Sequence, residues 1–344
     1  MRRVLLACSF LIAATAALAA GSFYLDRTGT LWNATSTQNG LVLTATRAGV
    51  QVVNSNVPFP IGLAGSNDAQ IQVAADDLTG KVVVVWQRNW SETASEIMLA
   101  VWSDGKWERI DHLSSNLGAH PRNPTIQLSE VSTSVPDPEH PEDPTLATTV
   151  ADSFLHVLWW QGATAADENA EYALLCLTGD PGDPDNLVEK DLDSFAVTGT
   201  GCQTPPAADV LEHPLFAVQN DSSKALVFFG SETNCMFQLL EVSFTLDSNS
   251  SSDDGGMTAV VQRRRHTPIF GVRKDFPMIQ DLSMEGARVV LGGNLAPVVY
   301  RVINGNTLEY LMASAAGWTP RRTLVTSDGL TMDQAIPLVE NLAH

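Results

Sequence analysis

The chain has 344 residues, of which 39 are acidic and 20 basic, for a formal charge of -19; hydrophobic residues make up 44% and charged ones only 17%. That apolar share supports a folded core and excludes global disorder. The acidic balance argues against nucleic acid and anionic membranes as partners, because both are bound through basic patches.

Met1-Arg2-Arg3 opens a short positive region, Val4 to Ala17 is an apolar run, and Ala17-Leu18-Ala19 supplies small residues for cleavage after Ala19. Residues 1–19 therefore read as a signal peptide and 20–344 as a single domain, secreted or periplasmic. The apolar run is too short for a membrane span, and no later stretch approaches that length. Three cysteines follow the signal. Cys176 and Cys202 flank one predicted long hairpin, so a disulfide between them would staple its loop, while Cys235 sits in an apolar strand and reads as buried. Asn33, Asn89, Asn220 and Asn249 each head an Asn-x-Ser/Thr sequon, which matters only in a source that glycosylates.

From Gly29 onward strand signals dominate, with period-two alternation, β-branched runs and Gly/Asn/Asp turns. The N-terminal region offers three strands, 29–36, 40–47 and 49–57, a group that lacks a first strand. Similar groups then recur in one order. An apolar run ending in an aromatic appears as VVVVWQ (82–87), HVLWWQ (156–161), LVFFGS (226–231) and PVVYRV (297–302). A second run follows each, at 96–102, 171–177, 235–242 and 307–314, and then a more polar strand, clearest at 106–110, 258–266 and 317–325. Ahead of each group stands a short strand: AQIQVA (69–74), NPTIQLS (123–129), HPLFAVQ (213–219) and FPMIQDL (276–282). The apolar run within 283–295 does not fit this phasing. At the C-terminus AIPLVE (335–340) is a lone first strand, and its pairing with the 29–57 group would close a ring and hide two sheet edges. The expectation is an all-β protein, a β-propeller of about five four-stranded blades closed by N- and C-terminal strands. The alternative is a two-sheet lectin sandwich.

The turns Ser103-Asp104-Gly105-Lys106-Trp107 and Asp26-Arg27-Thr28-Gly29-Thr30-Leu31-Trp32 are similar to Ser/Thr-x-Asp-x-Gly-x-x-Trp, the first shortened and the second one residue too long; Gly317-Trp318 keeps only the end. At these turns the chain resembles the sialidase-like, Asp-box family of propellers. In that family the motif fastens the hairpin between the third and fourth strands and is structural, so the resemblance implies fold and not activity. Its catalytic members hold a substrate carboxylate with three arginines from different blades, use a Tyr-Glu nucleophile, and carry Phe/Tyr-Arg-Ile-Pro near the start. Nothing in 20–60 matches the last of these. Arg263, Arg264 and Arg265 are adjacent, so strand alternation separates them instead of converging them.

An acid or amide stands ahead of each predicted first strand: Asp68, Asn123, Glu212, Asp275, and Asp333 before the terminal one. If first strands line a central channel, these residues gather at one mouth as a candidate binding ring. Clustered carboxylates there could hold a hard cation such as Ca²⁺, or act as acid and nucleophile on a glycoside as in five-bladed furanosidases. The competing reading is that Asp and Asn are simply favoured in turns. Arg273-Lys274-Asp275-Phe276-Pro277 is similar to the Arg-Asp-Pro of the invertase group but carries an insertion, and that group's other signatures are missing. No histidine pair, serine elbow, phosphate loop or dinucleotide fingerprint stands out. Two functions remain: non-enzymatic recognition of a glycan or extracellular protein, with Trp90 or Trp159 available to stack on a sugar, and glycoside hydrolysis through the carboxylate ring.

Overall fold

The computed structural model describes residues 21–37, 40–58, 67–91, 94–114, 120–137, 139–162, 169–179, 187–191, 217–218, 224–231, 236–246, 266–270, 274–277, 279, 282, 287–291, 296–314, 317–326, 329–331, 335 and 339. The proposed signal peptide, Cys202, Cys235, Glu212, Arg263 to Arg265 and Asp333 lie outside them.

The described strands form five antiparallel sheets in chain order. The first contains β1 (Gly21–Leu25), β2 (Thr30–Thr37), β3 (Gly40–Arg47) and β4 (Val50–Asn56); the second, β5 (Asn67–Ala75), β6 (Val82–Ser91), β7 (Ala94–Ser103) and β8 (Lys106–His112). The third contains β9 (Arg122–Val135), β10 (Thr148–Gln161), β11 (Asn169–Cys176) and β12 (Leu187–Asp191). The fourth contains β13 (Lys224–Ser231), β14 (Met236–Leu246), β15 (His266–Phe270) and β16 (Lys274–Pro277), with β15 and β16 both pairing β14 as two pieces of one outer strand. In the fifth, β17 (Arg288–Leu291), β18 (Pro297–Ile303) and β19 (Thr307–Ser314) are followed by β20 (Gly317–Trp318) and β21 (Arg322–Val325), which again share one partner, β19. Consecutive strands pair within each sheet, and β5 touches both β1 and β9. Four-stranded up-and-down sheets packed through their first strands and faces are the blades of a β-propeller. Five separate sheets leave no room for a two-sheet sandwich.

Burial follows from that stacking. In β3 buried Leu41, Leu43 and Ala45 alternate with half-buried neighbours, whereas Val82 to Arg88 of β6 are buried without a break. Val82, Val84 and Trp86 pack on Ala34, Leu41 and Leu43 of the first blade. Val83 and Val85 pack on Leu155, Val157 and Trp159 of the third. A blade covered on both sides needs apolar residues at both phases of the pleat, so its second strand loses period-two patterning. Each such Val or Leu contributes roughly 1.5–3 kcal/mol. Polar staples join the blades as well: Lys81 Nζ donates to the carbonyls of Leu177 (2.6 Å) and Gly179 (2.8 Å), and Ser153 Oγ donates to Asp76 Oδ1 at 2.6 Å.

Two sequence expectations change here. The first blade has a first strand of its own, β1, so it needs none from the C-terminus. Ala335 N instead donates to Thr331 O at 3.1 Å, a helical contact, and Ala335 and Val339 are buried with Leu330 against Val298, Tyr300, Leu308 and Tyr310 of the fifth blade. An apolar sheet face accepts a helical cover as readily as a strand, and the alternation of a six-residue run does not discriminate between them. Second, β17 lies within the misfit run 283–295 and is the fifth blade's first strand, while 274–277 belong to the outer strand of the fourth. The expected Cys176–Cys202 pairing lies outside the described residues at Cys202, while Cys176 itself is buried on the face toward the fourth blade.

The two Asp-box-like turns differ in outcome. In the β1–β2 turn, Asp26 accepts from Thr28 N (2.9 Å), Thr28 Oγ1 (2.7 Å), Thr30 N (2.8 Å) and Trp32 Nε1 (2.9 Å). Burial alone would raise its carboxyl, but the Thr28 and Trp32 side-chain bonds and the two backbone donors hold it down to about 2. This carboxylate fastens the hairpin between the first and second strands, not the one between third and fourth where the resemblance placed such a turn. At the β7–β8 turn Asp104 and Gly105 are both left-handed (φ 48° and 81°), and Trp107 Nε1 reaches back to Ser55 Oγ and the Asn56 carbonyl. Asp26→Ala is expected to destabilise the chain by about 1–2 kcal/mol, read as a lower urea midpoint; an unchanged midpoint would show the turn to be held by its backbone alone.

Candidate functional site

Register decides which residues are equivalent between blades. In the second blade the β5–β6 pairing shifts between Ala69 and Gln72, leaving Gln70 and Ile71 opposite Trp86. In the third the β9–β10 pairing shifts between Arg122 and Thr125, leaving Asn123 and Pro124 opposite Trp159. Gln70 (φ 48°) and Asn123 (φ 55°) both take the left-handed conformation of a bulge. Asn123 is thus the counterpart of Gln70, and Asp68 that of Pro121. Asp275 pairs with Gln238 in the outer strand of its blade. The expected ring of equivalent channel-mouth acids therefore does not assemble from Asp68, Asn123 and Asp275. A bulge adds a residue that spacing does not reveal, and an interrupted outer strand was counted as a first strand. Among the described residues no group of three or more His, Cys, Asp and Glu side chains is placed to hold a metal ion.

Asp68 nevertheless anchors a polar cluster. Trp86 Nε1 and Arg88 Nε both donate to Asp68 Oδ1, at 3.1 and 3.0 Å, with Arg88 fully buried and the Asp68 side chain 3% exposed. The Arg88 guanidinium carbon lies 5.6 Å from the ring centre of Trp86 and 5.9 Å from that of Trp90, within range of cation–π attraction. Trp86 and Arg88 sit two apart on one face of β6, and Trp90 follows at the register shift between Asn89 and Ser91. Arg88 has Asp68 as its partner on β5 and Glu96 as its partner on β7. Glu96 in turn accepts from His112 Nδ1 of β8 at 2.9 Å. One row of polar groups thus crosses all four strands at the blade's entry end, where β5 begins and the β6–β7 turn lies.

Burial pushes the Asp68 carboxyl above its ordinary range; the Arg88 bond and charge, then Trp86, pull it back only in part, and the Glu96 charge adds to the rise. On the opposite face of the same blade end, Ser95 Oγ donates to the Pro121 carbonyl at 2.5 Å and so accepts from His120 Nδ1 at 3.1 Å. Burial, with Arg122 nearby, lowers the His120 pKa and favours its neutral form. Gln87 Oε1 accepts from Asn123 N at 3.0 Å, tying β6 to the bulge of β9. Of the two tryptophans singled out for stacking, Trp159 is core between the second and third blades, while Trp90 is half-buried at the cluster. Sequence reading missed Arg88, Glu96 and His112. The aromatic–Arg–aromatic alternation of WQRNW (86–90) was a visible signal, but the pairing of Arg88 with Asp68 and Glu96 is set by register.

No family model matches the chain, and no curated protein matches it. Solved structures with a similar course include a subtype N11 neuraminidase-like protein of A/flat-faced bat/Peru (11% identity, TM-score 0.39, covering 91% of this chain and 75% of that one). A fucose-specific lectin from Aleuria aurantia is similar at 10% identity and TM-score 0.35, over 90% of this chain and 80% of that one. So is an α-L-arabinofuranosidase from Lactobacillus brevis, at 11% identity and TM-score 0.35, over 91% and 92%. At these scores the likenesses assign no activity.

Proposed function

We propose that the chain is an exported, non-enzymatic propeller that recognises a glycan at the entry end of its second blade. The observation that supports this reading is the stack of Trp86, Arg88 and Trp90 pinned by Asp68. Its aromatic faces are rigid, its one guanidinium is pre-positioned, and Trp90 is left half-buried at the end of a strand. Sugars offer C–H faces to aromatic rings and hydroxyls to fixed polar groups, so a preorganised aromatic–polar edge suits them. A glycan array probed with the mature chain tests the proposal, with Trp90→Ala expected to cut the binding at least tenfold while leaving the melting temperature within a few degrees. Full retention of binding in that variant would move the site elsewhere.

A second reading, glycoside hydrolysis, draws on Asp68 and Glu96, two carboxyl groups on one face, one of them with a raised pKa. General-acid work needs such a shift. Asp68 is, however, buried and already accepts from two side chains, which suits an anchor better than a proton donor. A parallel panel of furanoside and pyranoside substrates separates the readings: turnover abolished by Asp68→Asn would favour hydrolysis.

A further inference from the structure

We propose that the outer face of the first blade is a self-association surface, on which a second copy of this chain docks through the same face. Phe23 and Leu25 of β1 and Leu31 of β2 are 76%, 65% and 38% exposed. Register places them together: Leu25 stands opposite Leu31, while Tyr24 and Trp32, also opposite each other, turn the other way and pack toward the second blade. The rest of the face carries no charge. One row across the four strands is Leu25, Leu31, Thr46 and Gln51; the next is Phe23, Asn33, Thr44 and Asn54. Asp26, Arg27 and Arg47 are the charged residues between Gly21 and Val57, and none belongs to these rows. Asp26 is fastened within its turn, Arg27 reaches Asp77 of the second blade at 2.9 Å, and Arg47 donates to Thr30 Oγ1 at 2.8 Å.

Packing and charge together choose the occupant. The neighbour that a ring of blades would bring to this face is the fifth blade, and its apolar side is already covered: Val298, Tyr300 and Tyr310 pack with Leu330, Ala335 and Val339. The second and third blades are buried on both sides. Among the described residues, the outer face of the first blade is therefore an apolar face left without a counterpart in its own chain. A contiguous apolar patch on a folded surface marks a contact with another molecule. With 39 acidic residues against 20 basic ones, two copies of the chain repel each other over most of their surfaces. That repulsion is least at a face with no charge, in a blade with one acid and two arginines. A two-fold contact needs a patch that complements itself, and aromatic and aliphatic side chains among threonines and asparagines have no charge to match. At the spacing and rise of a sheet the face measures roughly 20 by 25 Å. That is about 500 Å² in plan, below the ~800 Å² per partner of a standard interface, so the dimer is reversible and dissociates on dilution.

The test is sedimentation velocity of the mature chain at concentrations from about 1 to about 100 μM, made in a host that does not glycosylate, because Asn33 lies in this face and heads a sequon. A monomer–dimer equilibrium is the expected result. Leu25→Glu and Leu25→Lys should each weaken it roughly tenfold or more, with the melting temperature of the dilute chain unchanged because the side chain is exposed there. Mixing the two variants should restore the dimer, since like faces bring the new carboxylate to the new ammonium. A wild-type chain that stays monomeric throughout overturns the proposal; slow maleimide labelling of Phe23→Cys in that monomer, located by peptide mapping, would identify the cover as part of the same chain. Dimers that persist in both variants place the interface elsewhere and overturn it equally. Variants that are monomeric alone and remain so when mixed would show the face meeting a different surface of the second copy, which overturns the like-to-like contact.

Discussion

His266→Ala is expected to destabilise the protein by about 3 kcal/mol or more, the largest single-site loss outside the apolar core. His266 is on the outer strand of the fourth blade, and Asp152 is on the second strand of the third. Nδ1 of His266 and its backbone N–H both donate to Asp152 Oδ2, at 2.8 and 2.7 Å, and Nε2 meets Thr133 Oγ1 at 2.8 Å. The two side chains are 0% and 2% exposed. This relay holds the long β9–β10 hairpin, which pairs beyond the end of β11, against the neighbouring blade. Removing the imidazole strands a carboxylate in a site from which water is excluded, and the remaining backbone donor does not compensate. Urea denaturation of His266→Ala and of Asp152→Leu/His266→Leu measures it. The double variant should be less destabilised than the single one, because it removes the buried charge along with its partner. A single-variant loss under 1 kcal/mol would mean that the hairpin docks through Phe154 and Phe244, whose rings are 4.5 Å apart, without help from the relay.

Acid is expected to weaken the fold through His156 well before the carboxylates protonate. His156 is buried in the third blade between Ser129 Oγ on Nε2 and the Tyr172 hydroxyl on Nδ1, both at 2.7 Å. Burial lowers its pKa from 6.5 to about 3 and pushes the Tyr172 phenol well above its usual value, so both stay neutral in the folded chain. The unfolded chain takes up a proton near pH 6.5 that the folded chain refuses until about pH 3. The stability tied to this group is therefore complete above pH 6.5 and is lost as pH falls, by as much as about 4 kcal/mol near pH 3. His156→Gln retains a neutral hydrogen-bonding side chain and has no such titration. The difference between wild-type and variant unfolding free energies should shrink steadily from pH 7 to pH 4. A constant difference would show that His156 takes up its proton in the fold at the same pH as in the unfolded chain.

The repeat was legible because its cause is local. Blades flanked on both sides need doubly apolar second strands, and runs such as VVVVWQ (82–87) and HVLWWQ (156–161) carry that requirement in their composition. Third strands followed by the same logic, and the Asp26 turn was readable because a carboxylate fastening its own hairpin needs only residues within six positions of it. First and fourth strands were harder. They are short, part-polar and interrupted, so 276–282 passed for the start of the fifth blade, and the run 283–295 that contains β17 was left outside the repeat.

What the sequence by itself determined is the all-β class, a repeat of about five blades and the apolar runs of their central strands, because burying a pleated sheet on two sides constrains every residue of those strands. What only the tertiary structure decided is which polar residues meet. Asp68 finds Arg88, and Arg88 finds Glu96, through a cross-strand register that bulges at Gln70 and Trp90 offset by a residue, and an offset of one turns a side chain to the other face. Asp152 finds His266 across 114 residues because two blades pack. Leu330, Ala335 and Val339 cover the fifth blade for the same reason: an apolar face fixes that something must cover it, and leaves the shape of the cover to whatever the chain brings there.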